Sequence, residues 1–242
     1  MAEPTPCAPL WPGDKVMVAR SCQVALLVAA LAVARPAAAG SERGVVEDAR
    51  ATLWEMLADP GFENLRGLLQ RARAVLIVPQ LFKAGFIIGG EAGSGVLLAH
   101  DRSAGSWSYP AFLDMGSASV GLQIGASATQ LVLVVMTDAG LESLLADRIN
   151  IGADASIAAG PVGAAARAAT TSTDLDADIY AYGISEGLFA GLSLQGGLIV
   201  PDEDANMAFY GVAVTTREIV QAGTVANEDA DNLRELLMEL QP

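Results

Sequence analysis

The chain has 242 residues, 52% of them hydrophobic and 17% charged, with a formal net charge of −14 at pH 7. That is enough apolar material for one globular core. The acidic balance excludes a nucleic-acid binder, which needs a basic face to meet phosphate.

Residues 1–39 read as a secretory signal peptide. Lys15 and Arg20 precede the apolar run Val24–Ala34, and a small A-x-A sequence ends at Ala39. The run is shorter than the roughly 20 residues a membrane span requires. Met17 is an alternative start. Cys7 and Cys22 both fall in this leader, and Cys22 precedes the apolar run, so it is no lipoprotein acylation site. Cleavage leaves a chain of 11 basic and 26 acidic residues, net −15, with no cysteine for a disulfide or thiolate metal site. The expected product is a soluble protein of the periplasm or cell envelope, with residues 40–242 as a single domain.

Helices come at the ends of this domain and strands in the middle. Val45, Ala49, Leu53, Met56 and Leu57 recur at helical spacing until Asp59-Pro60-Gly61 stops the helix. Phe62, Leu65, Leu68 and Leu69 mark a second, shorter helix. Strands are predicted over Val75–Val78, Phe82–Gly89, Gly95–His100, Gly116–Ala126 and Gln130–Met136, with hairpin-turn chemistry at Asp101–Gly105. A short helix follows over Thr137–Asp147, with Asp138 as its N-cap. Strands resume over Ile149–Ala158, Asp178–Ile184 and Gly187–Val200, and the acidic Asp202-Glu203-Asp204 reads as a turn. Thr216–Gln221 and Glu228–Leu240 close the chain as helices, the last with Leu233, Leu236, Leu237 and Leu240 on one stripe. Strand runs flanked by helices predict an α+β fold with a mostly antiparallel sheet. Its glycines alternate with apolar residues within strands, which predicts strong curvature or a barrel-like sheet.

The catalytic motifs fail on context. Lys83 precedes the glycines of "KAGFIIGGEAGSG", whereas a phosphate-binding P-loop places its lysine after them. Gly93-Ser94-Gly95 is followed by "VLL", so the dinucleotide fingerprint fails as well. Gly183-Ile184-Ser185-Glu186-Gly187 matches G-x-S-x-G, but a strand pattern follows it and the only histidine, His100, lies upstream. A hydrolase using Ser185 is therefore rejected. Asp174, Asp176 and Asp178 begin like a calcium loop, yet Ile179 and Ser185 occupy its required glycine and glutamate positions. No catalytic residue, cofactor or metal is expected.

Basic residues concentrate where acids are missing. From Asn64 to Gly90 there is no acid, but Arg66, Arg71, Arg73 and Lys83 all occur there, and Lys83 is the only lysine after residue 39. The segments "RARAVLIVPQLFKAGFIIGGEAGSGVLLAH", "WSYPAFLDMGSASVGLQIGASATQLVLVVM", "IGADASIAAGPVG", "IYAYGISEGLFAGLSLQGG" and "FYG" follow one another in an order that resembles the SYLF domain family. The resemblance covers roughly residues 62–223. It implies a lipid-binding domain without catalytic activity. Eukaryotic members bind phosphoinositides and some bind actin, and bacterial members are exported envelope proteins. Ala164, Glu186 and Gln195 depart from the family pattern, with Arg167 three residues past Ala164. The lost basic positions argue against phosphoinositide headgroups.

The expected ligand is therefore an anionic phospholipid or membrane surface. The candidate contacts are Arg66, Arg71, Arg73 and Lys83 with the aromatic residues Phe82, Phe86 and Trp107; Ile88 and Phe112 are further apolar candidates, and core packing competes for all five apolar side chains. Four basic residues at about 1 kcal/mol each give a dissociation constant near millimolar, so apolar insertion must add to charge. The alternative is an envelope protein-interaction or structural module with no lipid ligand.

Overall fold

The computed structural model describes residues 41–85, 88–120, 125–160, 177–186 and 197–240. The leader, Phe86, Ala164, Arg167, Asp174, Asp176 and Gln195 lie outside that set, as does the side chain of Ile88. Helix α1 (Glu42–Ala58) starts where the Ser41 side chain accepts the Gly44 N–H, and buries Val46, Ala49, Leu53 and Met56. Asp59-Pro60-Gly61 ends it as expected, and a single 3₁₀ turn (Pro60–Phe62) leads into α2 (Glu63–Leu69), whose Leu65, Leu68 and Leu69 are buried.

Nine strands follow: β1 (Ala74–Gly85), β2 (Ile88–Asp101), β3 (Ser106–Trp107), β4 (Ala111–Val120), β5 (Gly125–Val135), β6 (Ile149–Asn150), β7 (Ile157–Ala159), β8 (Ile179–Glu186) and β9 (Leu198–Pro201). They pair in the order β6-β9-β4-β2-β1-β5-β8-β7, with β3 against β2, and every pairing is antiparallel except β7 with β8. The sheet curls into a half-barrel, the expected α+β architecture. The remaining helices among the described residues are α3 (Asp138–Leu144), α4 (Glu203–Tyr210), α5 (Thr216–Val220) and α6 (Asp231–Met238). One face of the sheet packs on α1, α2, α4 and α6; the other is covered by α3, α5 and the residues around β6.

Several local expectations are corrected. The predicted strand Ile149–Ala158 is two, β6 and β7, which a turn separates and which pair with β9 and β8, and Gly116–Ala126 takes in the end of β4 and the start of β5 rather than one strand. The stretches Val75–Val78 and Phe82–Gly89 are not separate strands, because β1 runs through Pro79 to Gly85 and β2 begins only at Ile88. The acidic run Asp202–Asp204 is no turn: Asp202 accepts the Ala205 N–H, and Glu203 and Asp204 fill the first turn of α4, where carboxylates favour the helix dipole. The cap of α3 is Thr137, whose hydroxyl accepts the Gly140 N–H at 3.0 Å, not Asp138.

Strand β1 is continuous because it bulges. Between Ile77 and Phe82 it holds one residue more than β2 opposite, and between Val78 and Leu81 one more than β5. Pro79 sits inside this bulge, where a residue without an N–H is tolerated in a central strand. Here β1 presses onto β2 at two glycines. A Cβ on Gly95 would lie 2.5 Å from the Ile77 carbonyl oxygen and 2.8 Å from Val78 Cγ2, and one on Gly93 would strike the Gln80 carbonyl. The extra residue also reverses which way side chains point. Leu76, Val78 and Leu81 share one core cluster, although strict alternation would place Leu81 opposite Val78. Phe82 consequently lies on the α1 face, paired with Ala92 and Ala128, and Lys83 on the reverse face.

Two glycine substitutions separate close packing from backbone freedom. Gly95→Ala is expected to destabilise the fold by about 1–3 kcal/mol, because the new methyl group meets backbone that cannot retreat. Gly67→Ala, on α2 with no atom within 4 Å of the added Cβ, is expected to stabilise it by about 0.5–1 kcal/mol. Urea unfolding of both variants measures the pair, and a neutral Gly95→Ala would remove the close approach from the account.

Candidate functional site

The expected basic segment does not form one patch. Arg73 stands just before β1 and Lys83 ten residues later in it, so the strand rise separates them by about 30 Å. The sheet thus has an arginine end and an opposite, lysine end.

At the arginine end, Arg66 is exposed on α2 and its side chain makes no hydrogen bond or ion pair among the described residues. Arg71 is exposed, its Nε donating to the Gly67 carbonyl at 3.2 Å. Arg73 is half-buried and donates to Asp138 Oδ2 at 2.8 Å, which neutralises it in part. Sequence reading missed a fourth member, Arg102. It occupies the β2–β3 turn, and the bond from His100 N–H to the Arg73 carbonyl, 2.8 Å, brings that turn beside the start of β1. Arg102 is exposed, with no ion pair among the described residues. The turn signal at Asp101–Gly105 was legible, but only strand pairing puts it next to Arg73.

At the lysine end, Lys83 Nζ lies 2.6 Å from a Glu91 carboxylate oxygen, so the lone lysine of the domain is already paired. Phe82 is 42% exposed, and its neighbours on that face, Ala84, Gly90, Ala92 and Ala128, are small. Trp107 belongs to neither end. It is 1% exposed and stacks on His100, with ring centroids 4.6 Å apart and planes 6° from parallel. A side chain enclosed by the core cannot reach a membrane surface, so Trp107 leaves the contact set, and Phe112, 2% exposed, is core as well.

His100 is the buried end of β2. Its Nδ1 lies 3.1 Å from the Ala72 carbonyl, while His100 Nε2 and Trp107 Nε1 have no hydrogen-bond partner among the described residues. Burial lowers the His100 pKa, and the nearby Arg102 lowers it further, so the ring is neutral at pH 7. Around Trp107, Arg234 of α6 donates from Nε to the Trp107 carbonyl at 3.1 Å and lies 3.9 Å over the Tyr109 ring. Tyr109 in turn donates to Asp231 at 3.0 Å. These contacts fasten α6 to β3. They use their groups structurally and leave none poised for proton transfer.

Other motif residues also serve the fold. Asp178 accepts from the Ser156 hydroxyl and N–H and from the Thr137 hydroxyl, at 2.6, 3.1 and 2.6 Å, and the Ser156 hydrogen bond leads in depressing its pKa. Its oxygens tie β8 to the chain before α3 and β7. Among the described residues no group of three metal-ligating side chains gathers. Ser185 lies within β8, paired with Thr129, so Gly183–Glu186 is strand rather than a nucleophile elbow.

A family model described as "Ysc84: Las17-binding protein actin regulator" matches residues 116–240. Protein YSC84 of Saccharomyces cerevisiae is 36% identical over 172 residues, which is 70% of this chain and 36% of that protein. LAS seventeen-binding protein 3 of the same yeast is 37% identical over 155 residues, 63% of this chain and 33% of its own. SH3 domain-containing YSC84-like protein 1 of Homo sapiens is 27% identical over 171 residues, 70% of this chain and 49% of its own. The chain therefore spans about a third of the yeast relatives and about half of the human one. No solved structure matches it.

The buried imidazole has a measurable consequence. Its folded pKa lies below the unfolded value of 6.5, so the unfolded chain binds the extra proton and stability is lost as pH falls below 6.5. Urea unfolding between pH 7.5 and pH 5 is expected to show a loss of at most about 1.4 kcal/mol per pH unit, and His100→Phe to abolish it. Asp101 and Asp178, with folded pKa values lowered from 3.8, stabilise at neutral pH and lose that effect only in a more acidic window. A slope unchanged in His100→Phe would assign it to other groups.

Proposed function

The chain belongs to the Ysc84 (SYLF domain) family, and on that premise we propose that it is a non-catalytic binding module whose arginine end contacts anionic phospholipid. The observation that carries this reading is the grouping of Arg66, Arg71 and Arg102, exposed and without ion pairs among the described residues, in a chain of net charge −14. Screening over about 8 Å lets the local arginines outweigh the distant acids. Three such residues contribute about 3 kcal/mol at an anionic surface, which gives weak, salt-sensitive and reversible association. Arg73 and Lys83 add less, since Asp138 and Glu91 already hold them.

Export of residues 40–242 belongs to the same proposal, supported by the leader pattern, and makes envelope phospholipid the surface met. A protein-binding module is the second reading. It is favoured by the descriptions of the family as Las17-binding and actin-regulating, which name binding and regulation rather than catalysis.

Co-sedimentation with phosphatidylglycerol vesicles, against phosphatidylcholine controls, tests the first reading. Retention on the anionic vesicles alone is expected, reduced by high salt and abolished when Arg66, Arg71 and Arg102 are all changed to Glu. No retention on any anionic vesicle overturns it in favour of the protein-binding reading. Separately, N-terminal sequencing of the exported protein is expected to begin at Gly40, and an intact leader would remove the envelope from the proposal.

A further inference from the structure

Two large aromatic side chains are exposed on the α1 side of the sheet. Trp54 on α1 is 60% exposed and Phe82 on β1 is 42% exposed. Glu55, next to Trp54, accepts a hydrogen bond from Gln130 Nε2 at 3.2 Å. Gln130 lies two residues along β5 from Ala128, and Ala128 pairs directly with Phe82. The last turns of α1 and the Phe82 row are therefore neighbours on one side. Ala51 and Ala58, at helical spacings of three and four from Trp54, are exposed beside it, and Arg50 and Leu57 are its other neighbours at those spacings.

The surroundings of Trp54 are acidic. From Glu47 to the cap at Asp59 the helix carries Glu47, Asp48, Glu55 and Asp59 against Arg50, and Arg43 one turn earlier pairs with Glu47 at 3.5 Å. No basic residue occupies the last turn of α1, so the negative end of its dipole is uncompensated. The other exposed apolar pair, Met207 and Val212, has a local explanation. Gly211, left-handed at φ 72°, returns its N–H to the Met207 carbonyl at the end of α4, a cap type that an apolar pair at the positions of Met207 and Val212 frequently accompanies.

We propose that the Trp54–Phe82 face is a second interaction surface, for a cationic segment of a partner protein that inserts an apolar anchor beside the indole. Charge selects this occupant. An anionic bilayer would bring headgroups against Asp48, Glu55 and Asp59, with Glu47 partly neutralised by Arg43, and a second copy would bring the same acidic rim against itself. A basic, apolar-anchored peptide satisfies both the indole and its rim, with Trp54 as the desolvated centre. The surface lies on different elements from the arginine end, so one molecule would hold an anionic surface and a basic partner at once.

The test uses the full-length protein with two synthetic amphipathic probes of equal apolar content, one Leu/Lys and one Leu/Glu. Binding is followed by anisotropy of the labelled peptide and by Trp54 emission. The Leu/Lys peptide is expected to bind saturably and shift Trp54 emission to the blue, and the Leu/Glu peptide not to bind. Trp54→Ala, Phe82→Ser and Glu55→Lys should each weaken binding at least about tenfold, a loss of about 1.4 kcal/mol. Glu203→Lys on α4 makes the same charge change away from the surface and should leave binding unchanged, as should Arg71→Glu. Equal binding of both probes, equal weakening by Glu203→Lys, or no effect of Trp54→Ala overturns the proposal. So does loss of vesicle retention in Trp54→Ala, which would make the face a membrane anchor, or loss of a dimer in native mass spectrometry, which would make it a self-association surface.

Discussion

The packing of the bulged β1 against Gly93 and Gly95 is the constraint on which the rest of the structure depends. A proline in the central strand removes one ladder hydrogen bond, and the chain accommodates it by inserting one residue relative to both neighbours. The inserted residue turns the strand towards β2, so that the Ile77 carbonyl oxygen of β1 lies 2.5 Å from where a side chain would begin at Gly95. Curvature, side-chain phase and glycine placement are thus one feature. The phase change puts Phe82 on the helix face and pairs Lys83 with Glu91 on the reverse.

The length of β1 has the second large effect. A contiguous basic stretch in sequence becomes two sites at opposite ends of an extended strand. One end recruits Arg102 from a neighbouring turn; at the other, a carboxylate at 2.6 Å neutralises the lysine. Between them, both faces of the sheet are packed with aliphatic side chains. On the proposals above, the exposed arginines and the Trp54–Phe82 face are chemically opposite surfaces, one cationic and one aromatic with acids beside it.

Legibility followed the range of the interactions involved. The stripes Leu65-Leu68-Leu69 and Leu233-Leu236-Leu237 gave helices, since spacings of three and four fix a face within one turn. Helix α4 was missed because Asp202, Glu203 and Asp204 carry the chemistry of a turn as well as that of a capped first turn, and only docking of Asn206 and Phe209 on β4 decides between them. Trp107 resembled an interfacial anchor because a tryptophan beside serines and a tyrosine looks half-polar in sequence. Its burial comes from His100, ahead of it in the hairpin, and from Arg234, far away in the chain.

By itself the sequence determined the family, the α+β composition, the helix stripes and the role of the glycines, since each rests on residues within a few positions of one another. Tertiary structure alone decided which arginines stand together, that Lys83 is already paired, that Trp107 is interior and that Trp54 is not. Those outcomes depend on strand register and on one inserted residue. In a period-two element, a shift of one position moves every side chain beyond it to the opposite face.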